Sequence, residues 1–217
     1  MSRWKTMVAL AAAVCVLTLG VGCERKPVVE EDEGEEVTAP EVETTTETTP
    51  ETVVTPETIA PAPAAPGTLF DFETDDDVAA WKVEDEIKDQ VVLSVARDKA
   101  TTGKRSLKMV LKTGDWPGMH TFKVPKDWSA YSELKFDVIA DQDAELAIRI
   151  DDVDSTDYGS RFNMGGLAVN KGKNTVTVDV VDVGDAIDLK KVKAIFLFSS
   201  GVTDDLTFYL DNIRLAK

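Results

Sequence analysis

The chain of 217 residues has little of the chemistry on which most catalytic sites depend. Its two cysteines are Cys15 and Cys23, so the residues that follow have no disulfide, no thiol nucleophile and no cysteine-ligated zinc. Because His120 is the single histidine, a histidine-rich metal site is excluded, and no Ser-His-acid arrangement is recognisable around this residue. These absences predict a protein that is not an enzyme.

Basic residues are also few. The chain has 24 Lys and Arg residues against 40 Asp and Glu residues, a formal net charge of −16 at pH 7. Because no basic stripe is visible, nucleic acid is excluded as a partner, and the acidity argues against docking on anionic lipid headgroups. Carboxylates are plentiful enough for glycoside hydrolysis, but no pair of acids stands in an apolar setting that would raise the pKa of one of them.

The first 22 residues have the pattern of a signal peptide. Arg3 and Lys5 form a basic head, and the apolar run over residues 7–21 is too short for a comfortable membrane span. The run leads to Cys23, which resembles a bacterial lipoprotein signal in which the cysteine becomes the lipidated first residue. Glu24 stands where an aspartate signals inner-membrane retention in some bacteria, so the resemblance implies an anchor in the outer membrane or at the cell surface. An ordinary secretory peptide and an uncleaved anchor are the alternatives.

Residues 23–66 are predicted to be a disordered linker. From residue 24 onward they contain 12 acids, two bases and no aromatic residue, so the segment has too little apolar surface to fold. Like charges and prolines, as in residues 61–66, keep such a chain extended. Its repeated Thr and Pro residues resemble the linkers of surface proteins, which can carry O-linked sugars, and a plain spacer is the alternative.

Residues 67–217 are predicted to form one all-β domain. Apolar residues alternate with polar ones, as at Leu107, Met109 and Leu111, in segments separated by Gly, Asn, Asp and Pro. This period of two is typical of an antiparallel β-sandwich. The run over residues 192–198 is almost wholly apolar, which predicts a central strand buried on both faces, and residues 158–164 predict an edge strand.

The last predicted strand, residues 206–215, contains a change of phase. Its apolar residues occupy even positions through Leu210 and odd positions from Ile213 onward. Because successive side chains of a strand point to opposite faces, this change predicts an extra residue, a β-bulge, at Asp211–Asn212. Asp and Asn are poor strand formers, so a carboxylate at this place needs a reason.

The domain carries several short motifs in one order. They are F-D-F-E at 70–73 with Trp81 after it, G-K-R-S-L-K at 103–108, D-W-S-A-Y at 127–131, L-K-F-D-V at 134–138 and Y-L-D-N-I-R-L at 209–215. In this order they resemble a galactose-binding-like jelly roll, the β-sandwich of many non-catalytic carbohydrate-binding modules. The resemblance implies a glycan partner, and it implies core positions for Trp81 and Trp128. The alternative is a protein-interaction or envelope-structural sandwich that binds no sugar. In either case we expect a monomer.

The same resemblance implies a structural calcium ion (Ca2+). In the family, a carboxylate of the first strand, backbone oxygens of the loop before the Gly-x-x-Ser strand and an Asp of the last strand surround one calcium. The matching positions are Glu73 or Asp71, residues 99–104, and Asp211. Hard oxygen ligands suit calcium, and the ion would join the first and last strands. The alternative is that Glu73 and Asp211 are exposed or paired with Lys or Arg.

Aromatic and polar residues predict a ligand-binding face. Sugar rings stack their C–H faces on Trp or Tyr, while acids, amides and Arg bind the hydroxyl groups. Trp116 lies in the turn-rich segment Gly114–Gly118 and is predicted to be exposed. The alternative is that its side chain folds onto the edge of the sandwich and closes it as a buried plug. The other members of the predicted patch are outward-facing polar residues, namely Asp137, Arg149, Arg161 and Asn163. A salt-bridged solvent face is the alternative reading of this patch. His120, in phase with Phe122, is predicted to pack at the margin of the core.

Overall fold

Eleven β-strands and two short α-helices make up most of the regular structure of residues 66–217, the part of the chain that the computed structural model describes. The strands are β1 (Thr68–Phe70), β2 (Trp81–Lys82), β3 (Val91–Ala96), β4 (Ser106–Leu111), β5 (Gly118–Thr121), β6 (Glu133–Ala140), β7 (Ala144–Asp152), β8 (Phe162–Val169), β9 (Gly172–Asp179), β10 (Val192–Phe198) and β11 (Leu206–Ala216). The helices are α1 (Asp75–Ala79) and α2 (Val180–Ala186). The predicted all-β class is confirmed. The predicted signal peptide and nearly all of the predicted linker lie outside the described residues.

The strands form two antiparallel sheets. The six-stranded sheet runs in the order β3-β4-β11-β6-β9, with β1 added beside β11, and the five-stranded sheet runs in the order β2-β5-β10-β7-β8. Buried side chains of both sheets pack together in a large apolar core. This is the predicted β-sandwich, in which each sheet covers the apolar face of the other. Within residues 66–217, no helix has the length and apolar character needed to cross a membrane.

The period-two pattern decides which side chains enter the core. On β4, the alternating residues Leu107, Met109 and Leu111 are fully buried. Trp81 and Trp128 are also buried, which confirms their predicted core positions. The indole N–H of Trp128 donates to a backbone carbonyl oxygen 2.9 Å away, so its one polar group is satisfied inside the core.

β11 is a central strand of the six-stranded sheet, and it carries the predicted bulge. Its residues Leu206–Leu210 pair with β4, whereas Ile213 and Arg214 pair with β1, and β6 lies along the other side. The register shifts between Asp211 and Arg214, and Asn212 has a φ of 50°. Asn is one of the few residues that adopt this left-handed conformation at small cost. The bulge therefore lies where β1 replaces β4 as the neighbour of β11.

β10 is central in the five-stranded sheet, as predicted, but it is not buried on both faces. Ile195 and Leu197 are buried in the core, whereas Phe196 and Phe198 are half-buried on the opposite face. The apolar run was misleading because its outward members are aromatic residues that line a cleft. The predicted edge strand is confirmed as β8, but β8 begins at Phe162, and the first predicted residues form a 3₁₀ turn, Tyr158–Ser160.

Candidate functional site

The outward face of the five-stranded sheet carries a row of polar and aromatic side chains. Phe196 of β10 lies opposite His120 of β5 on one side and opposite Arg149 of β7 on the other. Arg149 in turn lies opposite Asn163 of β8. Their neighbours along the strands, such as Ile148, are buried, so the alternation of the strands turns this row away from the core.

This row forms the floor of a cleft with a volume of about 290 Å³. The residues that line the cleft are Glu84, Ile87, Trp116, Gly118, Met119, His120, Arg149, Tyr158, Arg161, Asn163, Phe196 and Phe198. A second cavity of about 210 Å³ shares Trp116, Tyr158, Asn163 and Phe198 with the cleft, so the two are adjacent. An apolar hollow with a few polar groups is the usual character of a small-molecule site.

Two exposed aromatic side chains stand at the cleft. Trp116 is 63% exposed and Tyr158 is 79% exposed. Trp116 meets Phe198 edge to face, with the ring centroids 5.9 Å apart. Side chains of this size normally bury most of their surface, so two of them exposed at one cleft indicate a surface for a ligand. The predicted exposure of Trp116 is confirmed, and the alternative of a buried plug is wrong.

Gly118 brings the Trp116 segment close to β10. It pairs with Phe198, and a Cβ atom at Gly118 would lie 2.4 Å from the Cβ of Phe198 and 2.5 Å from the carbonyl oxygen of Leu197. No side chain fits in that space, and glycine in a strand commonly marks such a close approach. The glycine therefore allows Trp116 to reach Phe198 at the rim of the cleft.

The guanidinium group of Arg149 is fixed in the floor. Its central carbon lies 3.8 Å from the ring centroid of Phe196. Its Nε and Nη2 donate to the two carboxylate oxygens of Asp151 at 2.8 and 2.7 Å. A bidentate pair and a stacked ring together hold a planar guanidinium in one orientation. Arg149 is therefore a pre-oriented donor at the cleft.

Arg161 and Asn163 reach the cleft from the 3₁₀ turn and the start of β8. The Nε of Arg161 donates to the carbonyl oxygen of Asp157 at 2.6 Å. The Nδ2 of Asn163 donates to the carbonyl oxygens of Tyr158 and Arg161, both at 3.3 Å. These bonds join the exposed Tyr158 to β8, so the wall of the cleft is connected to the sheet.

His120 lies between two aromatic rings. The ring centroids of Phe122 and Phe196 are 5.1 and 5.3 Å from that of His120. Burial lowers the pKa of His120, the charge of Arg149 lowers it further, and the charge of Glu84 opposes them. The prediction that His120 packs at the core margin is wrong, because its strand neighbours Met119 and Thr121 are the residues that enter the core.

We expect the folded-state pKa of His120 to lie below its ordinary value of 6.5. Because the folded-state pKa is then below the unfolded one, neutral His120 contributes stability that is complete above about pH 6.5 and is lost as the pH falls through the folded-state pKa. An NMR titration reports this group alone, since it is the only histidine in the chain. The variant His120→Gln should lose this component of the pH dependence of thermal unfolding. A folded-state pKa at or above 6.5 would contradict the expectation.

The structure brings together four of the five predicted binding residues, namely Trp116, Arg149, Arg161 and Asn163. Asp137 is the exception, because it lies on β6 in the other sheet. Its carboxylate accepts hydrogen bonds from the side chains of Thr175 and Asn212 at 2.8 and 2.9 Å. Strand alternation shows which side chains point outward but not which sheet a strand joins, so Asp137 was placed in the wrong group. Ligand binding by the other four stays a prediction.

Sequence reasoning missed several residues of the cleft. Phe196 and Phe198 are two positions apart in the apolar run of β10, and that spacing was the available signal that both face the same way. Tyr158 follows an acidic segment and carries no periodic signal, because it belongs to a turn. The hydrogen bonds within a short turn decide where its side chains point, and a pattern of alternating apolar residues contains no information about them.

The predicted calcium ligands do meet around one loop. Oε1 of Glu73 accepts from the backbone N–H groups of Lys104 and Arg105 at 2.7 and 2.8 Å. Oδ2 of Asp211 accepts from the backbone N–H groups of Thr101 and Thr102 at 2.7 and 2.8 Å. The loop before β4 is thus held by a carboxylate on each side.

The donor chemistry at this loop differs from that of a calcium site. Calcium takes oxygen ligands, whereas the loop presents N–H groups to both carboxylates. Asp71, the predicted alternative to Glu73, accepts from the backbone N–H of Glu73 at 3.1 Å. Among residues 66–217, no group of three or more His, Cys, Asp or Glu side chains is arranged to hold a metal ion. The arrangement suits hydrogen-bonded carboxylates, and the calcium ion stays a prediction from the resemblance.

Burial has a clear electrostatic effect on Asp211. The side chain is fully buried, and burial raises the pKa of its carboxyl group above the usual value. The N–H groups of Thr101 and Thr102 oppose that rise because they stabilise the charged form. These donors are therefore what make a carboxylate acceptable in the interior of a sheet.

Solved structures share this fold. An exo-beta-agarase matches with a TM-score of 0.57 and 17% identity over 69% of this chain, and the match covers only 24% of the agarase. A family 11 carbohydrate-binding module from Clostridium thermocellum, in complex with a beta-1,3-1,4-mixed-linked tetrasaccharide, matches with a TM-score of 0.52 and 17% identity over 69% of this chain and 94% of that one. The chain has the fold of these modules. The predicted similarity to the β-sandwich of carbohydrate-binding modules is thus confirmed as a similarity of fold. The chain matches no family model and no curated protein.

Proposed function

We propose that the protein binds a glycan in the cleft and does not catalyse a reaction on it. The observation that carries the proposal is the pair of exposed aromatic side chains, Trp116 and Tyr158, beside a floor of aromatic and polar groups. Aromatic faces stack on the apolar C–H faces of sugar rings, and amides and guanidinium groups bind their hydroxyl groups. Asn163 and Arg149 supply such groups on the floor.

The shape of the site and its acids support this proposal. The second cavity adjoins the cleft at Trp116, which suits a ligand of several sugars that spans both. Hydrolysis of a glycosidic bond needs two carboxyl groups that flank it. In the described part of the chain, Glu84 is the one acid that lines the cleft and Glu145 is the one acid that lines the second cavity, and the carboxylate of nearby Asp151 is occupied by Arg149. The full-length likeness to a module with a bound tetrasaccharide agrees with a binding role.

We also propose that the protein is lipid-anchored at Cys23 in the bacterial cell envelope, at the outer membrane or cell surface. This part depends on the sequence pattern of residues 1–66 alone. A net negative, proline-rich linker would hold the domain away from the membrane. The domain would then reach its ligand at a distance from its anchor.

A binding assay with the full-length protein tests the glycan proposal. We expect at least one polysaccharide of a broad panel to retard the protein in affinity electrophoresis and to change its tryptophan fluorescence. Sugar release, measured as new reducing ends, should stay at background. Binding of one protein partner in a fixed ratio, with no polysaccharide bound, would instead support the protein-interaction alternative. Release of sugar would overturn the non-catalytic part of the proposal.

A further inference from the structure

We infer that the glycan is acidic, carrying carboxylate or sulfate groups that bind the guanidinium groups of Arg161 and Arg149. This inference rests on the proposed function, because it names the class of ligand for the same cleft. It follows from which hydrogen-bond donors of the cleft are already used inside the protein and which are not.

Arg161 has a guanidinium group with donors to spare. Its Nε donates to the carbonyl oxygen of Asp157, and its two terminal nitrogens make no hydrogen bond within residues 66–217. In the same part of the chain it forms no salt bridge, whereas the nearby carboxylate of Asp157 accepts from Gly159 and Ser160 of its own turn. A half-buried guanidinium group that forms no salt bridge within the described residues has N–H groups available to an anionic ligand.

Arg149 offers a second donor. Asp151 uses Nε and Nη2, and Nη1 makes no hydrogen bond in the described residues. Asp151 balances the charge of Arg149, whereas Arg161 has no ion-pair partner among residues 66–217. The Nη1 of Arg149 is already held in one position, so binding a ligand there costs little conformational entropy.

The face around the cleft carries further cations. Residues 67–217 contain 28 acids and 20 bases, yet two further lysines lie on this face. Lys82 lies opposite His120 in the β2–β5 pair, and Lys193 lies over the ring of Phe122, 5.9 Å from its centroid. Glu84 lines the cleft as well, and its charge offsets one of these cations. Lys82 and Lys193 would attract an anionic ligand toward this face.

The chemistry of the donors favours the same class. A guanidinium group only donates hydrogen bonds, and a carboxylate or sulfate group only accepts them. A sugar hydroxyl can also accept from these groups, but its hydrogen bond is not charge-assisted on both sides. A carboxylate or sulfate group would form the stronger, charge-assisted hydrogen bonds with the free N–H groups of Arg161 and Arg149.

Matched pairs of polysaccharides test this inference with the full-length protein. Suitable pairs are homogalacturonan and its methyl ester, carboxymethyl cellulose and hydroxyethyl cellulose, and κ-carrageenan and agarose. For at least one pair we expect the charged member to bind roughly tenfold tighter at low ionic strength, as one charge-assisted hydrogen bond would give. Salt should reduce this preference, because it screens an exposed ion pair. Arg161→Ala should remove the preference, and Arg97→Ala, a change of an exposed arginine outside the cleft, should not.

The outcomes separate the inference from the proposed function. If the neutral members bind as tightly as the charged ones, the inference is overturned and glycan binding stands. If no polysaccharide binds, both fail. A charged preference that persists in Arg161→Ala also overturns the inference, because the acidic group is then bound elsewhere. If Arg161→Ala does not fold, Arg161→Lys and the salt dependence of the unchanged protein test the inference instead. Arg161→Lys is informative because Lys keeps the positive charge but lacks the planar donor group.

Discussion

Replacement of Trp116 by alanine should weaken glycan binding by about 2 kcal/mol or more, which is roughly a 30-fold rise in Kd. Trp116 is the largest exposed side chain at the cleft, and it stands where the cleft meets the second cavity. Its removal takes away the ring on which a sugar would stack. Because Trp116 is largely exposed and contacts Phe198 only by an edge, the free energy of unfolding should change little, by about 0.5 kcal/mol.

Phe122→Ala is the matched control for this change. Phe122 is also an exposed aromatic residue on the same sheet, at 57% exposed, but it lines neither cavity. Affinity electrophoresis and calorimetric titration should therefore show a much smaller loss for Phe122→Ala than for Trp116→Ala. Equal binding by Trp116→Ala and the unchanged protein would contradict the placement of the site at this cleft.

Replacement of Asp211 by alanine should lower the free energy of unfolding by about 3 kcal/mol or more. Asp211 is fully buried and accepts from the N–H groups of Thr101 and Thr102 as well as from the hydroxyl of Thr101, 2.9 Å away. Alanine leaves these donors without a partner, and each unsatisfied donor costs about 1–3 kcal/mol. The exposed neighbour Asp98 is the control, and Asp98→Ala should stay within about 0.5 kcal/mol.

Thermal unfolding of Asp211→Ala, with calcium and with a chelator, decides between the two accounts of this carboxylate. Hydrogen bonds to backbone N–H groups predict an equal loss under both conditions. A loss confined to the calcium-containing sample would instead support the calcium ion that the resemblance implies. A loss below about 1 kcal/mol in both would contradict the role of Asp211 in holding the loop before β4.

Much of the fold could be predicted because strands report their own geometry in sequence. The phase change correctly predicted a bulge at Asp211–Asn212, since alternation has only two states and an extra residue must invert it. Trp81 and Trp128 were placed in the core by the jelly-roll resemblance, and the sandwich buries both. Each of these inferences uses either local alternation or the order of motifs along the chain.

The candidate site could be predicted only in part, because it depends on which strands become neighbours. Asp137 and Arg149 both point outward from their strands, but β6 and β7 join different sheets. Sequence separation does not contain that information, and a hairpin or a crossover between sheets can follow the same kind of turn. Phe196 was assigned to the interior for a related reason: an aromatic residue at a cleft and one in a core have the same hydrophobicity.

The position of β11 in the six-stranded sheet has a consequence for how the domain folds. β11 is the last of the eleven strands in chain order, yet β1, β4 and β6 all pair with it. Until β11 is in place, these strands have unpaired edges, and such edges readily pair with other chains. Pairs as distant as Thr68 and Arg214 also make the search for the native arrangement slow. The sheet should therefore form late and cooperatively, and a chain shortened before residue 206 should aggregate when it is refolded.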